Sequence, residues 1–185
     1  MKKALCGLLM LVLLSGCSRE NTCMDQAIAL RSALQSSGCR FDAVITADYG
    51  DKVYQFEMQC SSDPSGNLNF VVTKPDSISG ISGNLSANKG QLVFDTNILA
   101  FPTLAEGQLT PVSAPWVLVN TLTGGYIRAT SQQNNGFMLC IDDSYQEEAL
   151  SLDIQISTDG VPVSADILWK DRRIIFLKIN NFSFV

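Results

Sequence analysis

Cysteine, carboxylate and hydroxyl groups are the reactive side chains available here, because the 185 residues include no histidine. Without imidazole there is no Ser–His or Cys–His nucleophile pair, and the commonest general base and transition-metal ligand are missing. The cysteines are Cys6, Cys17, Cys23, Cys39, Cys60 and Cys140. None forms a Cys-x-x-Cys, so neither a zinc knuckle nor a thioredoxin-type redox pair is supported. The acids are scattered except at Asp142, Asp143, Glu147 and Glu148. Clustered carboxylate oxygens suit calcium, but this spacing is not that of an EF-hand, and a solvated turn is the simpler reading. No spacing brings two acids together for glycoside hydrolysis. The sequence therefore predicts no catalytic residue, no metal and no cofactor, and the protein is expected not to be an enzyme.

Cys17 stands apart from the other cysteines. Lys2 and Lys3 precede an apolar run from Ala4 to Leu14, and Ser15-Gly16 lead into it. That run falls well short of the roughly 20 residues needed to cross a bilayer core of about 30 Å. It reads as a secretory leader. Leu14-Ser15-Gly16-Cys17 resembles the lipobox of bacterial lipoproteins, which implies cleavage before Cys17 and diacylation of its thiol with palmitate-type chains. Each buried CH₂ contributes about 0.8 kcal/mol, so two chains anchor a protein far better than one. The expected organisation is a signal peptide over residues 1–16, a lipidated cysteine and polar tether over 17–21, and a single domain over 22–185. The expected location is the extracytoplasmic face of the cell membrane, held there by lipid. The formal charge of −5, with no basic stripe, makes nucleic acid a poor partner.

Cys23, Cys39, Cys60 and Cys140 are left for an exported chain, where disulfides can form. If the helix between Cys23 and Cys39 is straight, those two lie about 24 Å apart, beyond the roughly 7 Å that a disulfide tolerates. Cys39 and Cys60 flank a hairpin and could face one another, so they are the candidate disulfide. The other reading is four buried free thiols.

The elements follow from periodicity. Thr22 reads as an N-cap with Asp25 three residues on, and Ala27, Ile28, Leu30 and Leu34 follow at helical spacing, so a helix is predicted over 23–37. Gly38 suits its C-terminus. From Cys39 the period becomes two. Strands are predicted around Phe41–Thr46, Tyr54–Cys60, Leu68–Lys74, Ile78–Leu85 and Gln91–Thr96, separated by turn residues such as Asp63-Pro64-Ser65-Gly66. The stretch 97–112 is apolar but irregular. Ser113 and Pro115 then open a very apolar helix over 114–123, closed by Gly124-Gly125. Five more strands follow, with Asn135-Gly136 as the strongest hairpin signal. Consecutive antiparallel strands with one apolar face must curl over something. The predicted fold is mainly β with two helices (α+β): a curved, antiparallel, half-open β-barrel with a helical lid.

This order of elements resembles the LolA-like superfamily of lipoprotein and lipid carriers, and within it the membrane lipoproteins of clostridial type. The resemblance runs from about Thr22 to Val185. It is carried by Ser113-Ala114-Pro115-Trp116, by Leu150-Ser151-Leu152-Asp153, and by the ending from Val161-Pro162-Val163 through Arg173-Ile174-Ile175-Phe176 to Phe182-Ser183-Phe184. It implies a half-open barrel whose helical lid covers an apolar cavity. The soluble carriers of that family latch the lid with an early-strand arginine; here Arg40 and Lys52 only border the first two strands.

Tyr54, Phe56 and Met58 share one face of one strand, and with Phe70, Phe94 and Trp116 they are the candidates to line an acyl-chain cavity. The same pattern describes an ordinary filled core. Two functions follow. One is a membrane-anchored protein that binds or carries an acyl chain or a lipoprotein. The other, which the resemblance to germination lipoproteins implies, is a non-enzymatic scaffold for an envelope protein such as a cell-wall hydrolase.

Overall fold

The computed structural model describes residues 18–86, 93–94, 104–107 and 109–185, with side chains omitted for 18–21 and 93–94. Cys17 and the leader lie outside the described residues, as does most of the stretch from 87 to 103. Helix α1 (Ser18–Ser37) begins four residues before Thr22, so Thr22 lies inside the helix rather than capping it, and the backbone of 18–21 is helical rather than a loose tether. Cys23, Ala27, Leu30 and Leu34 are its buried stripe, spaced as one helical face requires. Ile28, expected in that stripe, is 51% exposed, because it sits one position off the face.

Among the described residues, ten strands follow in one antiparallel sheet: β1 (Cys39–Asp48), β2 (Val53–Ser62), β3 (Leu68–Lys74), β4 (Ser82–Leu85), β5 (Val93–Phe94), β6 (Tyr126–Gln133), β7 (Gly136–Asp142), β8 (Ser151–Ile156), β9 (Pro162–Trp169) and β10 (Arg172–Phe184). The fourth strand is shorter than expected, since Asp76–Ile78 is a 3-10 turn. Alternation decides which side faces in. Phe41, Ala43, Ile45 and Ala47 of β1 are buried, as are Ile175, Leu177 and Ile179 of β10 and Leu152, Ile154 and Ile156 of β8.

The spatial order is β5-β4-β3-β2-β1-β10-β9-β8-β7-β6. Two meanders of five strands therefore meet at the pairing of the first strand with the last, and β5 and β6, neighbours in sequence, form opposite edges. Bulges interrupt the β1–β10, β2–β3, β6–β7, β8–β9 and β9–β10 ladders. Each adds local twist and bend, which curls the sheet without closing it.

Helix α2 (Ala114–Gly124) lies in the connection between the two meanders. Ala114, Pro115, Val117, Leu118, Val119, Thr121 and Leu122 are all buried, because α2 is enclosed by neighbours rather than lying at a surface. Helix α1 packs against α2 and β6. Arg31 fastens that contact: Nε donates to the Leu122 carbonyl at 2.8 Å and Nη2 to the Gly125 carbonyl at 2.7 Å. Gln35 donates to the Thr123 carbonyl at 2.9 Å. These groups satisfy carbonyls that the end of α2 would leave orphaned, and the cation suits the negative end of the helix dipole.

Candidate functional site: the concave face and the outer pockets

The concave face is where an acyl chain would sit. In the β1–β2 ladder Phe56 stands opposite Ile45 and Met58 opposite Ala43, while Phe70 stands opposite Cys60 in the β2–β3 ladder. Three of the sequence candidates are thus brought together. Phe56, Met58 and Phe70 are 2%, 1% and 2% exposed. Almost none of their surface is free, so they are packed within one continuous hydrophobic cluster that includes residues of α2. Tyr54 sits apart, half-buried at the start of β2 with its ring edge-on to Tyr49 at 5.3 Å. Trp116 stands at the rim and packs partly against the cluster. Its indole Nε1 donates to the Gly66 carbonyl at 3.0 Å, tying the start of α2 to the β2–β3 turn. The backbone of Phe94 pairs with Gly83; its side chain lies outside the described residues.

The thiols are structural. Cys23, Cys39, Cys60 and Cys140 are all free. Cys39 stands opposite Ser62, and Cys60 opposite Phe41, so the candidate disulfide partners are offset by two positions rather than facing each other. The pairing expected between Cys39 and Cys60 is not formed. Cys39 instead contacts the Ser62 hydroxyl at 3.3 Å, and the Cys23 thiol donates to the Gln132 amide oxygen at 3.2 Å. Burial pushes the Cys60 and Cys39 thiols up from their ordinary range. Cys140 is pushed up to about 11, first by burial and then by Asp153 beside it. A thiol whose folded pKa is raised contributes stability that is complete below its unfolded pKa and is lost as the pH rises through its folded pKa. Folding stability should therefore fall between pH 9 and about 11. Urea melts across that range should show the fall, and Cys140→Ser should make it shallower; identical slopes in both proteins would contradict this.

The acidic turn is also structural. Asp142 pairs with Arg128 at 3.1 Å and accepts from the Ser151 hydroxyl at 2.7 Å. Asp143 accepts from the Leu150 amide at 3.0 Å, and Glu148 faces Lys170 at 3.7 Å. Among the described residues no group of three metal-ligating side chains converges.

Pockets open on the outer surface, where no candidate had been placed. One, of about 370 Å³, is walled by Arg40, Asp42, Gln59, Ser61, Asn69 and Asn181, with Phe41, Cys60 and Phe70 beneath. Another lies at the β6–β7 hairpin, walled by Gln132, Gln133, Asn134, Asn135, Gln155 and Val163. The signal in the sequence was amides and hydroxyls recurring at the polar positions of the period-two pattern. Strand register was needed to bring them together.

No family model and no curated relative matches the sequence. Solved structures similar to the chain include an uncharacterized conserved protein from Thermus thermophilus, at 12% identity and a TM-score of 0.44, covering 89% of this chain and 88% of that one. A LolA superfamily protein from Nitrosomonas europaea matches at 8% identity and a TM-score of 0.41, over 88% and 93%. MucB, in the Pseudomonas aeruginosa MucA/MucB complex, matches at 8% identity and a TM-score of 0.42, over 86% of this chain and 56% of that one. All three likenesses lie at or below 12% identity and below a TM-score of 0.5.

Proposed function

We propose that this protein is a lipid-anchored, non-enzymatic binding protein of the bacterial envelope, whose LolA-like sheet is a solid scaffold. Its partners are held on the outer surface rather than as an acyl chain inside. The observation that carries this reading is the burial of Phe56, Met58 and Phe70 at 2% or less within one cluster. An open acyl cavity would leave such side chains facing free space. Trp116, bonded to Gly66, acts as a fixed strut rather than a gate. A non-catalytic role is supported by the lack of histidine and by carboxylates already engaged in a turn. The partner on this reading is another envelope component, such as a cell-wall hydrolase.

The anchor on this reading is Cys17. A chain that is already helical at Ser18 leaves little slack. At about 1.5 Å per residue, the helical path from Ser18 to Cys23, the first buried residue among those whose side chains are described, is only about 8 Å long. The body would rest close to the membrane. Cys17→Ala should abolish membrane fractionation, leaving the protein uncleaved or released. A variant that still sediments with membranes and resists a high-salt wash would show that Cys17 is not the anchor.

A further inference from the structure

The outer pocket on β1, β2 and β3 has a chemistry that the packed interior lacks. Two rows of outward side chains cross these strands in register. Arg40, Ser61 and Asn69 stand opposite one another in turn, and Asp42, Gln59 and Val71 form the adjacent row. With strands about 4.8 Å apart, the rows reach about 10 Å across the sheet. Among the described residues, the side chains of Arg40, Gln59 and Ser61 take part in no hydrogen bond or ion pair. Two others are held from behind. Asn84 donates to the Asn69 amide oxygen at 2.9 Å, which leaves the Asn69 NH₂ free to donate. Asn181 donates to Oδ2 of Asp42 at 2.6 Å, which leaves Oδ1 free to accept. Asn181 adopts a φ of +53°, and the β1–β10 ladder bulges opposite it between Arg40 and Asp42. A bulge re-aims side chains, and the left-handed conformation costs energy that asparagine tolerates better than most residues. Together they turn this corner of the sheet into a wall.

The mixture of groups selects the ligand. An anion would meet Asp42 beside Arg40, and a cation would meet Arg40 beside Asp42. An apolar chain would leave several donors and acceptors without partners, which is costly. An extended peptide cannot add as a strand here, because β1, β2 and β3 are paired on both sides. What remains is a neutral molecule that both donates and accepts at short intervals. Vicinal hydroxyls do this, and carboxamides and guanidinium meet them in pairs. Val71, 42% exposed in the same row, offers an apolar contact for a sugar C–H face or an acetyl methyl. A pocket of about 370 Å³ falls in the range of small-ligand sites. We propose that this pocket binds a neutral glycan, with Arg40, Asp42, Gln59, Ser61 and Asn69 pairing its hydroxyl and acetamido groups. The site stands independently of the anchor and of the packed interior.

The test is calorimetric titration of the full chain, solubilised in detergent, with the tetramer of N-acetylglucosamine. Saturable binding that is insensitive to salt is expected. The double variant Gln59→Ala/Asn69→Ala should weaken it at least tenfold, while Gln132→Ala/Gln133→Ala at the other pocket should leave it unchanged. Both pairs are exposed, and matching urea midpoints with the wild type establish that the fold is intact. No saturable binding would overturn the proposal. So would undiminished binding by the first variant, loss of binding in the second, or displacement of the tetramer by a neutral oligopeptide. Arg40→Ala supplies an independent arm, expected to weaken the tetramer without creating a preference for cations; undiminished binding there also overturns it.

Discussion

Phe56→Ala should lower folding stability by about 3–5 kcal/mol, the usual cost of removing a fully packed aromatic ring. That is a large share of the roughly 5–15 kcal/mol typical of whole domains. The expectation rests on the 2% exposure of Phe56 and on its place opposite Ile45 on the central strand. Neighbours locked in a sheet cannot collapse to fill the space it leaves, so the cavity cost adds to the lost transfer energy. A ring lining an open cavity would give up far fewer close contacts, and its loss would cost much less. Val53→Ala, at the 63% exposed start of the same strand, should stay within about 0.5 kcal/mol of wild type. Urea melts with a common slope measure both directly.

Gly136→Ala should cost about 3 kcal/mol or more, through backbone rather than core. Gly136 opens β7 at a φ of +127°, and a Cβ there would run into the Ile156 carbonyl oxygen and lie 2.8 Å from the Ser157 carbonyl carbon. Strain at such a φ is of order 1–3 kcal/mol, and moving the end of β8 forfeits ladder hydrogen bonds at about 1 kcal/mol each. Gly66→Ala is the matched control. Its φ is +80°, yet a Cβ would meet nothing within 4 Å, so only the left-handed penalty of about 1–2 kcal/mol applies. Equal losses at the two positions would show that close approach to β8 is not what Gly136 provides.

These glycines also mark how far local chemistry could be read. The Asn135-Gly136 dipeptide correctly located a hairpin, but for the wrong reason. The two-residue loop is Asn134-Asn135, with Gln133 and Gly136 paired across it, and neither asparagine has a positive φ. The left-handed pair that a tight hairpin favours occurs instead at Lys170 and Asp171, with φ of 48° and 62°, where no glycine announced it. Strand periodicity was legible because one face of each strand is buried and one is wet, and α2 was legible because Pro115 and the apolar run coincide; Ser113, expected to cap it, makes no capping bond and instead donates to the Thr110 carbonyl at 2.8 Å. The pairing of β1 with β10 was not legible, since nothing local records which strands from distant parts of the chain become neighbours. The start of α1 was missed because Thr22, a good capping residue, is overridden by helix continuing on its N-terminal side.

The site was legible only as a set of residue types. Tyr54, Phe56, Met58 and Phe70 alternate in the same way whether they fill a core or line a cavity, and only the enclosure of the last three within the buried cluster distinguishes the two. The outer pocket was hidden for another reason. Arg40, Gln59 and Asn69 are unremarkable polar positions until register places Arg40 opposite Ser61, Ser61 opposite Asn69, and Asp42 opposite Gln59.

The central claim, a filled interior with recognition outside, is tested most directly by asking what the purified protein carries. The Cys17→Ala protein, which can carry no acyl chain on residue 17, should be extracted with organic solvent and the extract analysed by mass spectrometry beside native spectra of the intact protein. The account predicts an apo mass and no lipid in stoichiometric amount. Recovery of one acyl lipid per chain from that protein, lost when Phe56→Ala is added while the fold persists, would contradict it and restore the interior as the binding site.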